Sequence, residues 1–315
     1  MRGAISMHIE MSDFYSRLGT IALIMILGFF LGKKRIIDTR TNKVIINLLL
    51  MVFMPASLFA AFPAVYKEET SSIFISGLIA GFVVMFSLIV LSRIIFNRYF
   101  YKGELRYESQ FALIFNNATF LGYPIISSTF GEQGVIPYCG FIIAFNIALF
   151  SYGVFLFERK LSKELIKGIV TNPNIIAVFL GMFVFISGFP VPSFISSAVC
   201  FTGNATTALS LICIGFMLSH ANFKKLIRKW RLILTAAIQL ILGPVVTYYL
   251  LTALHFQEEV IVVCTLIQAL PTATSLGLFA AKYGGNDIES SELVTISTTL
   301  SLVTMPAIVT ILLIR

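Results

Sequence analysis

Apolar runs of about twenty residues recur along the whole of this chain, separated by short basic stretches. A run of that length spans the ~30 Å hydrocarbon core of a bilayer as an α-helix, whereas a barrel strand needs only about ten residues. The fold class is therefore all-α, a polytopic integral membrane protein. Composition agrees: 57% of residues are hydrophobic and 12% charged, with mean hydropathy +0.92, against about 25% charged residues in soluble domains. Ten spans are expected, at about 14–32, 44–63, 72–96, 108–130, 134–157, 172–189, 193–219, 230–254, 259–281 and 292–314. The first follows Arg2, Glu10 and Asp13 and is long enough to cross, so it reads as a transmembrane helix and not a signal peptide.

The net charge of +8 does not imply a nucleic-acid partner, because the basic residues alternate between loops. Nineteen lie in the odd loops, among them Lys33, Lys34, Arg35, Arg93, Arg106, Arg228 and Lys229. Four, Arg2, Arg17, Lys67 and Arg315, lie in the even loops and at the ends. By the positive-inside rule the odd loops are cytoplasmic and both termini non-cytoplasmic, in a cell membrane.

The fifth loop, 158–171, divides the chain into repeats 1–157 and 172–315, each with five spans. An odd number of spans forces the halves into opposite orientations, as in inverted-repeat transporters. The fourth span carries Asn116-Asn117-Ala118-Thr119-Phe120-Leu121-Gly122-Tyr123-Pro124. Pro124 lacks an N–H for the carbonyl of Phe120 and restricts Tyr123 before it, so a break is expected at Gly122–Pro124. The ninth span carries a counterpart, Gln268-Ala269-Leu270-Pro271-Thr272-Ala273-Thr274-Ser275-Leu276-Gly277. Both spans end at an aromatic–glycine pair, Phe130-Gly131 and Tyr283-Gly284. Broken helices in hydrocarbon survive only where protein or a cavity satisfies the freed backbone groups, and they mark transporter binding sites.

These stretches, with Met54-Pro55-Ala56, Asn172-Pro173-Asn174 and Tyr283-Gly284-Gly285, resemble the auxin efflux carrier family, of a bacterial type lacking the long hydrophilic loop. The resemblance covers the whole chain. It implies a bile acid:sodium symporter-like fold in which the unwound fourth and ninth helices cross. It further implies a scaffold from spans 1, 2, 6 and 7, a transport domain from spans 3–5 and 8–10, elevator-like motion, and a homodimer.

No ionisable residue lies near the centre of a span, so a proton relay through a mid-membrane carboxylate is not expected. Nothing in the sequence suggests an enzyme, a cofactor or a metal cluster. The four cysteines, Cys139, Cys200, Cys213 and Cys264, lie in apolar segments and read as small core residues. An anion can instead be held by the N-terminal ends of the half-helices, each worth roughly +0.5 charge. The substrate-binding residues expected are Asn116, Asn117, Gly122, Pro124, Gln268, Pro271, Thr272 and Ser275, with Asn146 joining them if the cavity follows the resemblance. Carbonyls such as those of Phe120 and Ile267 are candidates for holding a coupling cation, sodium or a proton carrier. Asn47, Asn204 and Gln239 are expected to be structural, and Thr202–Thr207 a small-residue packing or dimer surface. The function this supports is a secondary transporter of a small organic anion. An anion channel and a membrane receptor without transport are the alternatives.

Overall fold

The computed structural model describes residues 11–61, 68–97, 101, 105–158, 171–187, 189–220, 226, 228–283 and 285–313. Both extreme ends, most of the fifth loop and Gly284 lie outside the described residues. Apart from one isolated bridge, the regular structure described is helical. In order the helices are α1 (Met11–Lys33), α2 (Thr39–Leu48), α3 (Met54–Ala61), α4 (Glu68–Ile95), α5 (Leu105–Ile114), α6 (Tyr123–Ala148) and α7 (Val154–Glu158). They continue as α8 (Pro173–Ser187), α9 (Ser193–Ser219), α10 (Trp230–Ala253), α11 (Glu258–Gln268), α12 (Leu276–Tyr283) and α13 (Asp287–Ile308).

Among the described residues, six helical stretches are long and apolar enough to cross a membrane: Thr39–Ala60, Ser71–Ile95, Gln133–Phe157, Ser193–Ser219, Trp230–Ala253 and Ile288–Leu313. Gly19–Lys33 and Pro173–Val184 are shorter apolar helices. The fourth and ninth apolar runs of the sequence are split between α5 and α6 and between α11 and α12. The boundary between the fourth and fifth runs falls at Gly131, whose φ of 59° and ψ of −146° bend α6 sharply. That backbone is open to glycine and strained for other residues.

Among the described residues, four π-helical turns relieve the spans, at Leu49–Phe53, Ala118–Gly122, Leu149–Gly153 and Val309–Leu313. Two of them end two residues before a proline, Pro55 and Pro124. A proline removes one N–H and crowds the preceding turn, and widening that turn is one way to accommodate it. Outside the apolar core, Asp38 caps α2 by accepting from the Thr41 N–H at 2.7 Å, a bond that holds its carboxyl below the usual range. Asn286 caps α13 through the Glu289 N–H.

Large apolar side chains point outward from helices on the periphery. Leu23, Phe86, Phe183, Phe194 and Phe201 are all more than three-fifths exposed, which suits a lipid surround and not water. Polar side chains turn inward, as Gln110, Asn116, Asn117, Gln239 and Gln268 do. Helices pair closely where glycine allows it. A Cβ on Gly215 of α9 would lie 1.9 Å from the Met25 carbonyl oxygen of α1, and one on Gly140 of α6 would lie 2.3 Å from that of Phe74 in α4. Small residues at such crossings let backbones touch, the usual packing mode inside a bilayer. The Thr202–Thr207 segment serves this purpose in part. Ser57 of α3 donates to the Gly203 carbonyl at 2.5 Å and shares a hydrogen bond with Thr206.

Candidate functional site

The chain leaves the helix at two places deep in the molecule, and these two places are in contact. Helix α5 stops at Ile114, and Asn117 takes φ −80° and ψ 48° before the π turn begins. Helix α11 stops at Gln268, and residues 269–275 run without regular helix to α12. Asn116 and Thr272 form an antiparallel bridge. The Asn117 N–H donates to the Pro271 carbonyl at 2.6 Å, and the Ala273 N–H donates to the Phe115 carbonyl at 2.9 Å. A broken helix exposes backbone groups that cost several kcal/mol each in hydrocarbon. Here each interruption satisfies part of the other.

Side chains complete much of the rest. Asn116 Nδ2 donates to Gln268 Oε1 at 2.7 Å, joining the segments a second time. Asn117 Oδ1 accepts from the Phe120 N–H at 3.3 Å, an N-cap on the π turn. Tyr138 donates to the Ala118 carbonyl. From α10, Gln239 donates to the Leu270 carbonyl at 2.7 Å, and from α13 Ser297 Oγ accepts the Thr272 N–H.

Several polar groups here are not spent. Among the described residues, Asn116 Oδ1, Asn117 Nδ2, Gln268 Nε2 and Thr265 Oγ1 are buried without a hydrogen-bond partner. Among the described residues, the N–H groups of Ala118 and Thr119, which open one half-helix, and those of Thr274 and Ser275, which lead into the other, donate to no backbone carbonyl outside their own helices. Buried polar groups are usually paired, and unpaired ones call for an explanation. A cluster of unspent donors at two helix starts, each with its partial positive charge, suits a guest with negative charge.

The expected residues are thus placed unevenly. Asn116, Asn117, Gln268, Pro271 and Thr272 come together at the two breaks. Gly122 packs near them, a Cβ there falling 3.2 Å from Leu270 Cδ1. Ser275 is half-buried at the start of α12 and accepts the Phe279 N–H with its carbonyl.

The location of the first break differs from the expectation. It lies at residues 115–117 and not at Gly122–Pro124. Pro124 stands second in α6, where the π turn already carries the chain past it. The widened turn makes room for the proline ring, while Asn117 caps the new helical stretch with its own side chain. Asn146 is engaged elsewhere: its Nδ2 donates to the Ile142 carbonyl of its own helix, and its Oδ1 accepts from Asn172 at 3.4 Å. The Ile267 carbonyl accepts the Leu270 N–H.

Gln239, expected to be structural, is so: it holds the second break directly through the Leu270 carbonyl. Two contributors escaped the sequence reading. Ser297 and Tyr138 gave no local signal, since a hydroxyl in an apolar helix looks the same whether it bonds its own backbone or a distant one. Glu108 is the only fully buried charged residue among the described ones, and it accepts the Asn286 N–H at 2.8 Å. It ties the start of α5 to the turn before α13. Near that end, Lys229 and Glu292 form an ion pair.

A family model described as "Membrane transport protein" matches residues 14–309. An uncharacterized transporter from Methanocaldococcus jannaschii is 24% identical over 215 residues, covering 65% of this chain and 68% of the relative.

Proposed function

Because this chain belongs to the auxin efflux carrier-like family of membrane transport proteins, a family of transporters and not of enzymes, we propose that it carries a small organic anion, a carboxylate, across the cell membrane by alternating access. The observation that carries this reading is the junction of the two interruptions. They bond to each other, yet among the described residues leave the Asn117 Nδ2 and Gln268 Nε2 donors without a partner and the Ala118, Thr119, Thr274 and Ser275 N–H groups without a backbone acceptor outside their own helices. Such a site attracts negative charge without a fixed cation, and its weak individual contacts allow release as well as binding.

In this reading the chain crosses the membrane ten times as two inverted five-helix repeats, with both termini outside the cytoplasm. The interrupted helices belong to a transport domain built from spans 3–5 and 8–10. That domain slides in elevator fashion against a scaffold of spans 1, 2, 6 and 7, which also supports a homodimer. An inside-negative potential contributes about 2.3 kcal/mol per charge per 100 mV, so it drives anion export, while uptake requires exchange or a coupled cation such as sodium or a proton.

Flux of labelled dicarboxylates and indole acids into proteoliposomes tests this. Saturable flux that falls in Asn117→Ala supports it. Absence of flux across a broad anion panel, or flux unaltered by Asn117→Ala, overturns it, and single-channel currents would replace it with a channel.

A further inference from the structure

A second polar cavity lies away from the interruptions, at the end where α4 finishes and α5 begins. It has a volume of about 290 Å³ and is lined by Arg93, Arg106, Tyr107, Gln110 and Tyr152, with Phe155 and Leu156 as an apolar wall. Among the described residues two guanidiniums line it and no carboxylate does. Glu108, two residues after Arg106, accepts the Asn286 N–H, and Glu104 lies outside the described residues. Arg93 is held in place, its Nε donating to the Tyr152 hydroxyl at 2.9 Å and its guanidinium lying 5.4 Å from that ring. Arg106 lies 5.4 Å from the ring of Tyr107. Gln110, almost wholly buried, donates to the Phe96 carbonyl and so fixes the floor between α4 and α5.

Two features of Arg106 make sense only with a partner. Its Nε is buried and, among the described residues, has no hydrogen-bond acceptor. It also stands in the first turn of α5, where a cation opposes the helix dipole. An oxyanion placed in the cavity relieves both costs at once. It would accept from the guanidinium forks, which match the planar geometry of carboxylate and phosphate, and it would sit at the positive end of α5. The apolar wall suits a carbon body attached to that head. Arg106 lies ten residues before Asn116 on the same segment, about 15 Å along a helix at 1.5 Å per residue, so this is not the site at the interruptions.

We propose that this cavity is a second oxyanion-binding site, taking the carboxylate or phosphate head of a small solute or of an anionic lipid. Binding here stands independently of carriage by the interruptions and is measured without flux.

Arginine labelling by phenylglyoxal, mapped by mass spectrometry on the purified full chain in phosphatidylcholine nanodiscs, tests it. Succinate or inorganic phosphate is expected to slow labelling of Arg93 and Arg106 by about tenfold at ten times its Kd, following the occupancy factor 1 + [L]/Kd, while exposed Arg40 is unaffected. In R106Q, protection of Arg93 is lost. If R106Q does not fold, the protection map of the unaltered protein still decides. Protection by succinate or phosphate assigns a free solute. Protection only in nanodiscs containing phosphatidylglycerol assigns a lipid head. Equal labelling with and without all of these probes, or slowing shared by Arg40, overturns the site.

Discussion

The two interruptions reach similar ends by different chemistry. The first is short and capped from within. Asn116 and Asn117 end α5, and the Asn117 side chain bonds the Phe120 N–H of the turn that follows. The second is longer and is supported from outside. Residues 269–275 contain Pro271, and their backbone is held by Gln239 of α10, Ser297 of α13 and the first interruption itself. The Asn117 cap is a local contact that persists if neighbouring helices shift, although the first interruption also bonds to Tyr138 and to the second. A break held by three other elements exists only when those elements are in place. The second interruption is therefore the one whose shape is most sensitive to movement between helices.

The largest effect expected from this contrast is at Gln239. Gln239→Leu leaves the Leu270 carbonyl buried and unpaired, a loss of about 1–3 kcal/mol, and should lower the thermal midpoint in detergent together with any flux. If Gln239→Leu is as stable as the parent, the second break is not held from α10.

Next comes the cap. Asn117→Ala should cost about 1 kcal/mol, a typical N-cap loss, with a proportionally larger loss of flux because Asn117 Nδ2 is one of the unspent donors. Asn117→Asp keeps the cap and replaces that donor with a negative charge, so stability should recover while anion flux does not. Recovery of both would reduce Asn117 to a structural cap.

The link between the breaks is weaker. A double-mutant cycle on Asn116→Ala and Gln268→Ala should give a coupling of about 0.6 kcal/mol, the average for side-chain hydrogen bonds between membrane helices. A coupling of zero would mean that the backbone bridge alone joins the segments.

The smallest effects are expected away from both breaks. Pro124→Ala should leave stability and flux nearly unchanged, because the proline follows a break made by Asn117; a large loss would return the break to the proline. Asp38→Ala should be milder still. The Asp38 carboxyl titrates below its usual value in the folded chain, so its cap is intact above the usual aspartate pKa and is lost as pH falls through the lowered one. Amide hydrogen exchange in the first turn of α2, measured across that acid range, checks the sign.

The helical class, the six long apolar helices and the two interrupted segments were legible in the residues, because run length and polar clustering are local signals. The site was legible only in part. Asn116, Asn117, Gln268, Pro271 and Thr272 stood out as polar or helix-breaking residues at mid-span, and they do meet. Pro124 misled by a turn, since a proline shows that a helix is perturbed nearby but not on which side the chain gives way. Asn146 looked like the other amides, yet its bonds go to its own helix and to Asn172. Gln239, by contrast, was expected to be structural and is, although which backbone carbonyl it braces, 31 positions away, could not be read from the sequence.

What the sequence by itself determined is the solvent and the period: hydrocarbon around helices, with polar residues confined to ends and to two mid-span clusters. Transfer free energy acts residue by residue, so it can be read in order along the chain. Only the tertiary structure decided which freed backbone group finds which acceptor, and which remain unspent. Some of those pairings join residues more than 150 positions apart, as Asn116 and Gln268 are, and a hydrogen bond depends on distances of a few tenths of an ångström that no linear pattern encodes.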